Sequence, residues 1–90
     1  MISAQFSIYP LGQDDLGPAI DSACQSLASW PVRYKAGTMS TLVEGHLEDV
    51  FAAIQAAFVA ASGLGATVMT CTISNACPVA LSETTEAHVD

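Results

Sequence analysis

Glu44, Ser40, Thr41 and Tyr9 are the side chains whose types and spacing suit chemistry best in this chain. Glu44 ends a stretch with strand character and is followed at once by Gly45 and a helical pattern, which puts a reachable carboxylate beside backbone N–H donors. Such a group accepts from an amino group of a ligand, or else only stabilises the helix start. Ser40 and Thr41 carry hydroxyls that can donate to ring nitrogens, although both are also ordinary strand residues, Thr41 by its branching. Tyr9 offers an aromatic face for a heterocycle, with a cation–π contribution for a charged ring, or else packs at a contact between two chains. The chemistry these residues point to is recognition of a flat, amino-bearing ring.

Bond-making is the weaker class. No Walker loop, GxGxxG, HExxH or GxSxG pattern occurs, and no nucleophile, base and orienting group stand together in the sequence. His46 and His88 have no second ligand at a metal-binding spacing. Cys24, Cys71 and Cys77 are odd in number and lack a CxxC pattern, so buried free thiols are expected rather than a disulfide framework or a zinc or iron-sulfur site. Cys71 and Cys77 lie six positions apart in an extended run, about 20 Å between α-carbons, beyond disulfide reach.

Composition bounds the partners. Ninety residues make one small domain, read here as residues 1–78 with a polar acidic tail over 79–90. Half of the chain (51%) is apolar and only 12% charged, more greasy surface than a small sphere can hide, so self-association into a homodimer or homotetramer is expected. Arg33 and Lys35 are the two basic residues against nine acidic ones, a net charge of −7. That balance disfavours nucleic acid, anionic lipid and phosphorylated metabolites and favours a neutral or cationic small molecule. The N-terminal residues alternate apolar with polar like a strand, and the apolar run from Phe51 to Ala61 is too short to span a bilayer. A cytoplasmic protein is expected.

The elements that must position these residues follow from periodicity. A strand over Ile2–Tyr9 alternates strictly and stops at Pro10. A helix to about Ser29 has Pro18 in its first turn, the stripe Leu16, Ile20, Ala23, Cys24 and Leu27, and Asp14, Asp15 and Asp21 near its positive end. Val32–Ala36 and Ser40–Glu44 read as a hairpin broken at Gly37. A second helix over His46–Ala61 shows an apolar face of Leu47, Val50, Phe51, Ile54, Ala57, Phe58 and Ala61, closed by the glycines of Ser62–Gly65. A last strand, Ala66–Ser74, alternates Met69, Cys71 and Ile73 with Val68, Thr70, Thr72 and Ser74.

This βαββαβ order defines an α+β, ferredoxin-like fold, a four-stranded antiparallel sheet with two helices on one face. The other face has no cover from its own chain. It carries Ser3, Gln5, Ser7 and Tyr9 from the first strand and Thr70, Thr72 and Ser74 from the last, and a second chain is expected to meet it by sheet faces or edges, with a ligand in or beside the contact.

The segments QFSIYPL, STLVEGHLEDVFAAIQAAF and TISNACP, in that order, resemble the YkoF-like thiamine and hydroxymethylpyrimidine-binding proteins over most of Ile2 to Pro78. Phe6, Ser7, Tyr9 and Pro10, Ser40 and Thr41 ahead of Gly45, Val50 and Phe51, and Ser74, Cys77 and Pro78 carry the likeness. The resemblance implies a ferredoxin-like domain without an iron-sulfur cluster and a non-catalytic binding role in thiamine or pyrimidine salvage. It also implies that a single-domain chain pairs with a copy of itself, where the family's namesake joins two such domains in tandem. No cofactor is implied; thiamine or hydroxymethylpyrimidine is the ligand. Ser7, Tyr9, Ser40, Thr41, Glu44 and Ser74 then form the ligand set, with Glu44 accepting from the pyrimidine amino group, Thr41 or Ser7 bonded to the ring or hydroxymethyl group, and Tyr9 packed on a ring. The alternatives are a structural or regulatory oligomer that binds another protein through its open sheet face, and a small enzyme acting on the same heterocycle.

Overall fold

Strict alternation of apolar and polar residues makes Ile2–Pro10 a strand, β1, because it sends Ile2, Ala4, Phe6 and Ile8 to one side and Ser3, Gln5, Ser7 and Tyr9 to the other. The computed structural model describes residues 1–12, 15–37 and 40–76 of the chain. Asp14, Cys77, Pro78, His88 and the tail 79–90 lie outside the described residues. After β1 come α1 (Gly17–Leu27), β2 (Arg33–Ala36), β3 (Thr41–Gly45), α2 (Leu47–Ser62) and β4 (Thr67–Ser74). The strands lie in the order β2-β3-β1-β4, every neighbouring pair antiparallel. This is the ferredoxin-like βαββαβ fold, with β2 and β4 as its edges.

The register explains which residues share a face. Ser3 stands opposite Glu44 on one side and Ser74 on the other, Gln5 opposite Leu42 and Thr72, and Ser7 opposite Thr70. Residues directly opposite one another point the same way, so the face away from the helices is banded by rows. One row reads Arg33, Glu44, Ser3, Ser74 and the next Lys35, Leu42, Gln5, Thr72. Crowded between its neighbours, Ser3 is buried although no described element covers it.

Both helices pack on the opposite face, where Ile2, Ala4, Phe6 and Val43 meet Ala19, Ala23 and Leu27 of α1 and Val50, Ala53, Ala57 and Ala61 of α2. Six of these eleven buried residues are alanines, which lets the two helix backbones come close and leaves Leu27, Val43 and Val50 as the largest fully buried side chains. The helices are turned from the orientation that hydrophobicity suggests. Leu16 and Ile20 of the expected first stripe, and Leu47, Phe51 and Phe58 of the second, stay exposed, because the alanines at i and i+4 take the inner position.

The helix ends also differ in detail from expectation. α1 starts at Gly17, with no acidic residue in its first turn; Asp15 acts instead as an acceptor for the Gly17 N–H at 3.0 Å. α2 carries Glu48 and Asp49 in its first turn, where they favour the helix dipole. It closes at Gly63 in a right-handed conformation, and only Gly65, with φ 146°, uses the freedom that glycine alone has. No helix among the described residues is long and apolar enough to cross a membrane.

Candidate functional site

β3 is the element that decides the geometry of the candidate residues. Its alternation puts Thr41 and Val43 against the helices and Leu42 and Glu44 on the far face, and Ser40, one step before it, falls on the far face as well. Gln5 Nε2 donates to Ser40 Oγ at 2.7 Å, which ties the start of β3 to the middle of β1. Glu44 and Thr41 are an odd number of residues apart and so stand on opposite sides of the sheet.

The structure brings Ser7, Ser40 and Thr41 together. With Phe6, Ile8, Ile20, Cys24 and Gly37 they line a cleft of about 70 Å³ where β3 begins and α1 passes over it. The described hairpin rim at Gly37 is held by its N–H donating to the Ser40 carbonyl at 2.8 Å. Inside, the buried Thr41 Oγ1 lies 3.9 Å from the half-buried Cys24 Sγ, a thiol–hydroxyl contact at the long end for sulfur. Phe6, Ile8 and Ile20 give the cleft its apolar wall, and Ser7, Ser40 and Thr41 give it polar points. Cys24 and Ile20 escaped the sequence reading as lining residues. Their spacing on α1 with Ala23 and Leu27 marks them as helix stripe, and nothing in that pattern says that they flank the start of β3.

Glu44 lies elsewhere. It is largely enclosed on the far face, with Oε1 3.6 Å from Arg33 Nη2, and the guanidinium is nearly half exposed, so the pair contributes no more than about 1 kcal/mol. α2 starts on the other side of the sheet, so its positive end is not what Glu44 faces. Ser74 occupies the same row as Glu44, two strands away, and its Oγ accepts from the Ala76 N–H at 2.9 Å. Tyr9 stands at the opposite end of β1, half exposed beside Val68, and does not line the cleft. The expected ligand set therefore divides into a cleft group of Ser7, Ser40 and Thr41, an end row of Glu44 and Ser74, and Tyr9 apart.

Among the described residues, no three His, Cys, Asp or Glu side chains cluster as metal ligands would. The one clear displacement of a titrating group is at Cys71 of β4, whose thiol is pushed up by partial burial.

A split βαβ sheet with helices on one face, and a small half-polar cleft under the first helix, define a ferredoxin-like domain of the ligand-binding type rather than one built around a metal centre. The chain belongs to the YKOF-related family, whose profile matches residues 1–80. Comparison with curated protein sequences gives no match. Among solved structures, a hypothetical protein of Methanocaldococcus jannascii is similar with a TM-score of 0.79 at 19% identity, over 96% of this chain and 93% of that one. A protein of Streptococcus pneumoniae is similar with a TM-score of 0.80 at 18% identity, over 94% and 97%. A third, described as a candidate thiamine biosynthesis/salvage protein of Thermotoga maritima, gives 0.75 at 21% identity over 97% of both chains. At these identities the likenesses speak for the fold.

Proposed function

We propose that this protein binds thiamine or its hydroxymethylpyrimidine part without bond-making, in vitamin salvage or transport. Membership of the YKOF-related family and the salvage description given to the Thermotoga maritima relative favour this ligand class. The observation that carries the reading to particular residues is the cleft, where the hydroxyls of Ser40 and Thr41 meet an apolar wall of Phe6, Ile8 and Ile20. An aminopyrimidine needs that combination: hydrogen-bond partners for its ring nitrogens and amino group, and flat apolar contact for its faces. At about 70 Å³ the cleft is far smaller than the roughly 300 Å³ of an enclosing ligand site, so it takes one edge of the ring and leaves the rest of the ligand over the Gly37–Ser40 rim. The cationic thiazolium of thiamine then lies outside, where a net charge of −7 favours it.

Calorimetry with thiamine, hydroxymethylpyrimidine and thiamine diphosphate tests this. Binding of the first two is expected, with thiamine diphosphate weaker because of like-charge repulsion. Thr41→Val keeps the shape of the side chain and removes its hydroxyl, and it should weaken binding by about five- to tenfold, the worth of one neutral hydrogen bond. Absence of heat with all three ligands overturns the proposal.

A further inference from the structure

β4 is an edge strand of eight residues, TVMTCTIS, with no charge, no proline and no glycine among them. Its outer row of backbone N–H and C=O groups is a template for another strand, and natural edges are usually blunted by the very residues that β4 lacks. Above this edge runs the outer flank of α2. Leu47, Phe51, Ile54 and Phe58 recur at i, i+4, i+7 and i+11, and all but Ile54 are large exposed side chains, at 55%, 50% and 38% for Leu47, Phe51 and Phe58. α2 runs antiparallel to β4, so Leu47 and Phe51 lie toward the Ile73 end and Phe58 toward the Met69 end. Ile73 is itself 39% exposed on the helix side of the edge.

We propose that this surface is where a second copy of the chain docks, β4 against β4 about a two-fold axis, joining two sheets into one of eight strands with the two α2 flanks side by side. Charge and area both favour this occupant. Two copies that each carry −7 repel, so they can close only across a surface free of acids, and Glu48 and Asp49, at about 100° per residue, turn away from the Leu47–Phe58 stripe. Leu47, Phe51, Phe58 and Ile73 leave on the order of 350 Å² of side chain in water. Pairing the strand backbone adds to this, approaching the roughly 800 Å² per partner of a stable interface.

The pattern also selects a register. For both copies to keep their helices on the same face, opposed residues must share parity, so the axis passes at Thr70 or at Cys71. Centring on Cys71 sets Ile73 opposite the second copy's Met69 and Thr70 opposite its Thr72, like with like. Centring on Thr70 sets Ile73 opposite Thr67 and Val68 opposite Thr72. The Cys71 register is the better matched, and it brings the two Cys71 α-carbons to about 5 Å, within disulfide reach, whereas the other leaves them about 8 Å apart.

Sedimentation of the full chain, with circular dichroism as a check on folding, tests the docking. A dimer is expected, with Ile73→Lys and Phe51→Glu each raising its dissociation constant roughly thirtyfold or more, and Gln5→Glu on the open face leaving it unchanged. In a Cys24→Ser, Cys77→Ser background, diamide, which takes up the two thiol hydrogens, should link the dimer through Cys71, and the further change Cys71→Ser should abolish the link. A monomer at high concentration overturns the proposal, whether the β4 amides exchange fast, leaving the edge open to a different protein, or slowly, covered by residues 77–90. A dimer broken by Gln5→Glu but not by Ile73→Lys places the contact on the open face and overturns it as well. A dimer that Ile73→Lys breaks but diamide does not link overturns the Cys71 register.

Discussion

The two flanks of α2 are equally apolar in sequence and opposite in fate. The inner one holds Val50, Ala53, Ala57 and Ala61, all fully buried against α1 and the sheet. The outer one holds Leu47, Phe51 and Phe58, all exposed. In a self-sufficient core the larger residues would be inside, since each buried aromatic or leucine removes far more surface from water than an alanine does. The inversion teaches that α2 is shaped for two neighbours. Alanines set a short distance to the helix of its own chain, and the large residues are left for what lies beyond the β4 edge.

The sharpest way to break this comparison is to exchange sizes across it. Ala57→Leu puts three carbons into a fully buried site between close backbones, and it should cost about 3 kcal/mol in urea unfolding. Phe51→Ser removes a ring from the outer flank and should change the stability of the dilute, separated protomer by less than about 1 kcal/mol. Equal losses would mean that the two flanks do not differ as described.

A smaller probe sits at the root of the inner flank. A methyl group on Gly45 would stand 3.2 Å from Val32 Cγ1 and 3.5 Å from Val50 Cγ2, tight against two stiff side chains. Gly45→Ala should cost about 1 kcal/mol, the low end of overpacking, because alanine also lowers the entropy of the unfolded chain and offsets part of the strain. A stabilised variant would show slack where the inner flank is described as closed.

These contrasts separate what the residues disclose from what they do not. The six elements and their order follow from alternation in Ile2–Tyr9, from Pro18, and from the break at Gly37, because each is a local signal. The choice of helix face is not local. Hydrophobicity ranks Leu47 and Phe51 above Ala53 and Ala57, yet the distance between α1 and α2, fixed by alanines on both, selects the small residues for the inside. The candidate site was legible to the same extent. Ser40 and Thr41 were marked by type and Ser7 by its strand, but adjacent residues of a strand face opposite ways, so Thr41 enters the cleft under α1 while Glu44 joins Arg33 on the far face. Which strands neighbour β3 and which helix overlies it are properties of the topology, and Cys24 and Ile20 come to the cleft only through it.

The smallest expected effect belongs to Cys71, on the outer side of the comparison. Its thiol titrates above the usual range because partial burial disfavours the thiolate. Iodoacetamide reacts with the thiolate, so alkylation of Cys71 in the Cys24→Ser, Cys77→Ser background should be slower than that of an unfolded control at mildly alkaline pH. The two rates should converge only as the pH passes the raised value. The sign for stability follows. The folded state holds this proton more tightly than the unfolded chain, so the contribution is fully present below the ordinary thiol range and is lost as pH rises through the raised value. Because the residue is exposed, that contribution is small and the reaction rate is the better readout. A thiol that reacts as fast as the unfolded control would show that nothing on this side of the molecule, β1 and α2 included, withdraws Cys71 from water.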